Sequence, residues 1–151
     1  MKNIYSFLIA GCIIASCNNS TSTEKQTSES VTPPEEAAMN CYTGVSGKDS
    51  VMLNITSNGD KITGTLNYKF SEKDSNHGSI DGIMKGDTLL ADYSFASEGQ
   101  SSIRQVAFLK KDNSMIEGYG DLEEKDGKVQ FKNPATLDFG KGFNLQKVDC
   151  R

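Results

Sequence analysis

Ile62-Thr63-Gly64-Thr65-Leu66-Asn67-Tyr68-Lys69-Phe70 is the stretch on which the fold turns. Its even-numbered positions are Ile62, Gly64, Leu66, Tyr68 and Phe70, and the positions between them are Thr63, Thr65, Asn67 and Lys69. Side chains of an extended strand alternate between two faces, so this segment lines a core on one side and meets water on the other. Val51, Leu53 and Ile55 alternate in the same way just upstream, and Asn58-Gly59 between the two runs is the signal of a type I′ turn. Together they predict a β-hairpin.

Reading outward, the pattern repeats. A polar loop from Ser71 to Gly78 leads to a short strand over Ile80 to Met84, and Lys85-Gly86-Asp87 turns it into Leu89, Ala91, Tyr93 and Phe95. Strands follow at Ile103 to Leu109, Met115 to Leu122 and Lys128 to Phe131. Asn133-Pro134 breaks the pattern before Phe143, Leu145 and Lys147. With a first strand near Tyr42 to Val45, about eight strands follow one another through short turns, and no segment carries a helical stripe. This is an all-β antiparallel up-and-down meander. It hides its edges by closing into a barrel, the alternative being a two-sheet β-sandwich. Gly64, Gly82, Gly118 and Gly120 inside strands mark bends of the barrel wall.

The balance of 16 basic and 20 acidic residues gives a formal net charge of -4. Such a chain lacks the basic face that displaces counterions from phosphate, so no nucleic-acid partner is expected. One His and no Trp leave little for a His-based metal centre or a His-dependent triad.

Ahead of the strands the chain changes character. Ile4 to Ala15 is an apolar run broken only by Ser6, too short to span a bilayer. It ends at Ile14-Ala15-Ser16-Cys17, which resembles the lipobox of bacterial lipoproteins. The resemblance implies a signal peptide over residues 1–16 and lipid on Cys17. A second match at Ile9-Ala10-Gly11-Cys12 would leave fewer apolar residues ahead of its Cys and strand Ile13 and Ile14 on the mature terminus. Asn18 to Met39 holds eight Ser or Thr, two Pro, four Glu and no aromatic residue. Nothing there repays the entropy of ordering, so residues 17–40 read as a lipidated Cys and a disordered tether, and residues 41–151 as the barrel domain. Asn18 after the Cys resembles the sorting pattern of outer-membrane lipoproteins.

Cys41 and Cys150 then remain, one at each end of the domain, and an oxidising compartment predicts a structural disulfide between them. The barrel is similar to the small lipocalin or avidin type, although the Gly-x-Trp signature of lipocalins is missing. Residues 49–109, with Glu72-Lys73-Asp74, Ser97-Glu98-Gly99 and the Arg-x-Val-x-Phe run of Arg104, Val106 and Phe108, resemble small bacterial envelope lipoproteins, which implies no particular activity.

Most candidate sites fail on spacing. The oxygen-rich run from Glu72 to Gly78 has its Gly at position 7 rather than 6 of a calcium loop, and Ile83 where the Glu is required. No serine lies in a nucleophile elbow. Arg104 stands apart as the only Arg before the last residue of the chain. Alternation places it on the inward face with Val106 and Phe108. A guanidinium there wants a carboxylate, and Glu98 or Glu117 would supply it, either as a structural ion pair or as part of a ligand anchor at the barrel mouth.

The resulting expectation is a lipid-anchored, non-enzymatic cell-envelope protein that binds a small molecule or envelope component, with no cofactor. The alternative is a structural or interaction lipoprotein with a filled core that acts through exposed loops. A hydrolase using Glu72, Asp74 or Glu98 is the enzyme-class reading.

Overall fold

Ten strands and one turn of 3-10 helix make up the part of the chain that the computed structural model describes, residues 37–151 apart from Lys73, Asp74 and Glu98. The expectations for the signal peptide, for Cys12 and Cys17 and for most of the tether lie outside the described residues. The strands are β1 (Met39–Ser46), β2 (Asp49–Asn58), β3 (Lys61–Lys69), β4 (Asn76–Lys85) and β5 (Thr88–Ser97). They continue as β6 (Gln100–Lys111), β7 (Ser114–Gly118), β8 (Leu122–Lys125), β9 (Lys128–Phe131) and β10 (Asn144–Val148).

Strands β1 to β7 pair in sequence, β10 bridges β7 and β1, and every one of these pairings is antiparallel. The result is a closed eight-stranded antiparallel barrel. Closure comes from the first and last strands, which pair with each other. Cys41 lies opposite Val148, and a disulfide joins Cys41 to Cys150.

The hairpin turn after β2 is shifted by one residue from its sequence signal. Asn58 pairs with Lys61, so the central residues are Gly59 and Asp60, and only Gly59 has positive φ, at 59°. That is the pattern of a type II′ turn, in which glycine at the first central position meets the left-handed requirement without steric cost.

The even positions of β3 do face inward. Val51, Leu53, Ile55, Ile62, Leu66, Tyr68, Ile80, Leu89, Tyr93, Val106, Phe108, Met115 and Leu145 form one buried cluster. Gly64 is required by the curvature: a Cβ there would stand 1.9 Å from the Asn54 carbonyl oxygen of β2. At Gly82 a Cβ would stand 2.4 Å from the Leu90 carbonyl oxygen and 2.5 Å from Ala91 of β5. Where strands coil this tightly, only hydrogen fits between a residue and its neighbour's backbone.

One part departs from a simple meander. The predicted strand from Met115 to Leu122 ends at Gly118, and Tyr119 makes only an isolated bridge to Asp138. The β8–β9 hairpin does not join the barrel ring. Instead β9 lies parallel to β6 where β7 has stopped, with Arg104 opposite Val129. Two contacts hold it there. Lys128 Nζ reaches across β6 to both Asp92 carboxylate oxygens at 2.7 and 2.8 Å, and the Phe131 N–H donates to Gln105 Oε1 at 3.2 Å. The rings of Phe139 and Leu137 side chain then fill the space that Gly118 and Gly120 leave open. Asn133 caps the short 3-10 helix (Pro134–Thr136) by accepting from the Ala135 N–H at 3.0 Å.

Candidate functional site

The chemistry-bearing residues gather at the end of the barrel where β7 stops short. Arg104 is half-buried on the inward face of β6, in register with Tyr93 of β5. Inward-facing Val106 and Phe108 on the same strand are 4% and 0% exposed, so the alternation read from the sequence holds.

The surroundings of Arg104 are aromatic. Its guanidinium carbon lies 5.3 Å from the Tyr68 ring centroid, 5.7 Å from that of Tyr93 and 5.6 Å from that of Phe95. Tyr93 and Phe95 stack with their centroids 4.7 Å apart, and Tyr68 stacks on Phe70. Ring faces are electron-rich, so this box stabilises the cation, by about 0.5–2 kcal/mol per contact. The ion pairs formed among the described residues are Lys61–Asp81, Lys128–Asp92 and Lys141–Asp138, and Arg104 is in none of them. The structural ion pair with Glu117 is therefore not formed. The other expected acid, Glu98, lies outside the described residues.

Glu117 on β7 is nevertheless buried, at 4% exposure. It is held by hydroxyls. Tyr68 Oη donates to Glu117 Oε1, and Tyr119 Oη donates to Glu117 Oε2 at 3.0 Å. β3 and β7 stand on opposite sides of the eight-stranded ring, so the Tyr68–Glu117 bond crosses the lumen. Burial raises the Tyr68 pKa, and the Glu117 charge and hydrogen bond raise it further. Tyr119 is pushed up to about 12, first by desolvation and then by Glu117. Both tyrosines stay protonated as donors to the carboxylate.

Two buried polar atoms in this region have no hydrogen-bond partner: Arg104 Nε and Tyr93 Oη. Arg104, Gln105, Glu117, Tyr119, Leu122 and Phe131 line a pocket of about 80 Å³ where the β8–β9 hairpin meets the barrel wall. The centre of the barrel, by contrast, is filled by Tyr68, Tyr93 and Phe108 at 2%, 0% and 0% exposure.

The sequence points to Arg104 and Glu117, and the structure brings both to this pocket while pairing each with tyrosines. The tyrosine roles were missed. A signal for one of them existed, because Tyr93 stands directly across from Arg104 once the β5–β6 hairpin is registered through its turn. At the calcium-like run, His77 Nδ1 lies 3.2 Å from Asn67 Oδ1, and no three His, Cys, Asp or Glu converge among the described residues. A wider groove of about 630 Å³ runs along the outer face near the disulfide, past the exposed Met39, Met52 and Val148.

No family model, curated protein or solved structure matches the chain.

Proposed function

We propose that this chain is a lipid-anchored, non-enzymatic protein of the cell envelope whose barrel, filled at its centre, binds a small molecule or envelope component at its rim or outer surface. The observation that carries the reading is the filled lumen. Tyr93 and Phe108 are fully buried and the Tyr68–Glu117 bond crosses the interior, so among the described residues the middle of the lumen is occupied by side chains. Binding is thereby left to the rim and the outer surface. The non-enzymatic part is supported by Glu117, whose two carboxylate oxygens are each engaged by a tyrosine hydroxyl and are not offered to a reacting group.

Anchoring rests on Ile14-Ala15-Ser16-Cys17, and the Cys41–Cys150 disulfide fits the oxidising compartment that such an anchor implies. A second reading, an interaction module with the same anchor, is favoured by the outer groove with its exposed Met39, Met52 and Val148.

The test is metabolic labelling with an alkyne fatty acid, followed by fractionation. The wild type and Cys12→Ser should carry label in the membrane fraction, while Cys17→Ser should lose both label and membrane association. Label that survives Cys17→Ser and disappears with Cys12→Ser would move the anchor; label in none of the three would remove it.

A further inference from the structure

We propose that Lys110 and Lys147 hold the phosphate group of a small hydroxylated ester in the mouth of the barrel, at the end opposite Arg104. The proposal rests on the reading of the barrel rim as a binding surface, and not on the lipid anchor.

Strand parity places both lysines. Lys110 follows Arg104, Val106 and Phe108 on the inward face of β6, and its register partner on β7 is Met115, which is 1% exposed. Lys147 follows buried Leu145 on β10, and its register partner on β1 is buried Tyr42. Register partners share a face of the sheet, so each lysine stands at an inward position near the end of its strand. Both line one pocket of about 230 Å³, whose floor includes Tyr42, Ile62 and Met115 at the end of the core. A lysine so placed lays its stem over the apolar floor and keeps its ammonium in water. Neither lysine belongs to an ion pair among the described residues.

The rim of this mouth is tied together before any ligand arrives. Each of three hairpin tips is stapled to the next strand by a backbone bond: Met84 N–H donates to the Asp60 carbonyl at 2.8 Å, Lys110 N–H to that of Asp87 at 2.7 Å and Lys147 N–H to that of Asn113 at 2.8 Å. Two of the three donors belong to the lysines themselves. Their backbones are therefore fixed, and binding has only the side chains left to order.

The lining favours phosphate over carboxylate. A lysine ammonium is a compact charge with three rotatable donors, which suits a tetrahedral anion, whereas the planar fork of arginine suits a carboxylate. Asn40, Ser57 and Asn113 bring neutral amide and hydroxyl groups to the same pocket. Asp112 is the acid of the lining and forms an ion pair with neither lysine, so two positive charges stand against one negative. Its carboxylate can accept from a hydroxyl on the body of the ester. At about 230 Å³ the pocket is smaller than those that take drug-sized ligands, so that body is a short polyol.

Glycerol 3-phosphate is the probe, titrated into the full-length chain in a non-ionic, phosphate-free detergent at constant ionic strength and read by amide NMR. The Asn113, Met115 and Lys147 amides should move to saturation. Lys110→Met and Lys147→Met remove the charge and keep the stem, and each should weaken the apparent affinity about tenfold or more, as expected for a lost bond between charged groups. Lys111→Met takes the same charge from the outward face one residue away and should leave the affinity unchanged. Phosphatidylglycerol dissolved in the micelles should move the same amides if a lipid headgroup is the source of the phosphate; a response to the soluble ester alone assigns a free one.

Equal losses in Lys110→Met and Lys111→Met would overturn the site, leaving only general attraction between charges. Acetate saturating the same amides as readily would overturn the phosphate class. Shifts confined to Tyr119 and Leu122 would overturn the site and keep rim binding, moved to the pocket beside Arg104. No shift from either probe would overturn the site and leave the rim and outer surface to other ligands.

Discussion

Replacing Tyr68 by Phe deletes one oxygen atom and tests the bond that crosses the lumen. Tyr68 is 2% exposed and its partner Glu117 is 4% exposed, so water cannot take the place of the lost hydroxyl. Hydrogen bonds to charged groups contribute about 1.5–3 kcal/mol, and a buried carboxylate that loses one of two donors falls in the upper part of that range. The expected loss is about 2–3 kcal/mol, which lowers the urea midpoint by about 1–2 M at an unchanged slope. Tyr119→Phe is the control. Its ring is 47% exposed, so water can restore the contact and the loss should stay below about 1 kcal/mol. Glu117→Met removes the acceptor, and Tyr68→Phe combined with it should cost less than the sum of the single changes by about 1 kcal/mol or more. A loss under about 0.5 kcal/mol for Tyr68→Phe, or strict additivity in the double mutant, would refute the strut.

Alkaline pH should destabilise the domain. Tyr68 and Tyr93 have raised pKa values when folded, Tyr93 at about 12, so the native state keeps protons that the unfolded chain releases above pH ~10. Their contribution is fully present below pH ~10 and is lost as pH rises through the folded values, at up to about 1.4 kcal/mol per pH unit for each tyrosine. Urea midpoints that stay flat between neutral pH and pH ~11.5 would contradict this. Gly64→Ala drives a Cβ against the Asn54 carbonyl and should cost more than about 3 kcal/mol, whereas alanine at Gly47, where φ is 62° in open space, should cost about 1 kcal/mol; equal losses in thermal melts would refute the close approach at Gly64. Reducing the Cys41–Cys150 bridge, which spans a sequence separation of 109, should lower stability by about 2–5 kcal/mol, and a non-reducing digest should recover the two cysteine peptides joined.

The barrel was legible because its strands are long enough for period-2 alternation to repeat. Ile62 to Phe70 and Leu89 to Phe95 each place three or more large apolar residues on one face, and the structure buries that face. Closure was legible from the run of short hairpins, whose edges are hidden only when the end strands meet, and the Cys41–Cys150 bridge joins the ends of those strands. Strand β9 was read at its observed bounds, Lys128–Phe131, but β8 and the departure of the hairpin from the ring were not legible. All four residues of β8 are exposed, and a strand so short and uniformly wet has no alternation to read. The parity of β6 pointed Arg104 inward, yet the choice between a carboxylate and a box of rings depends on β3 and β5 arriving beside it. The Tyr68 hydroxyl reaches Glu117 from 49 residues away on the opposite wall, a relation that no local pattern encodes.

The disulfide also decides where a mechanical pull would travel. Met39 begins β1 two residues ahead of Cys41, and Arg151 follows directly after Cys150. Tension applied between the two ends of the chain passes from Met39 through the paired sulfurs to Arg151, and the strands between them carry none of it. The segment between the two cysteines, a sequence separation of 109, therefore cannot be drawn out to lengthen the connection while the bridge is intact. Reduction would change that at once: the β1–β10 ladder would open as a zipper from its Cys41–Val148 end under the same pull.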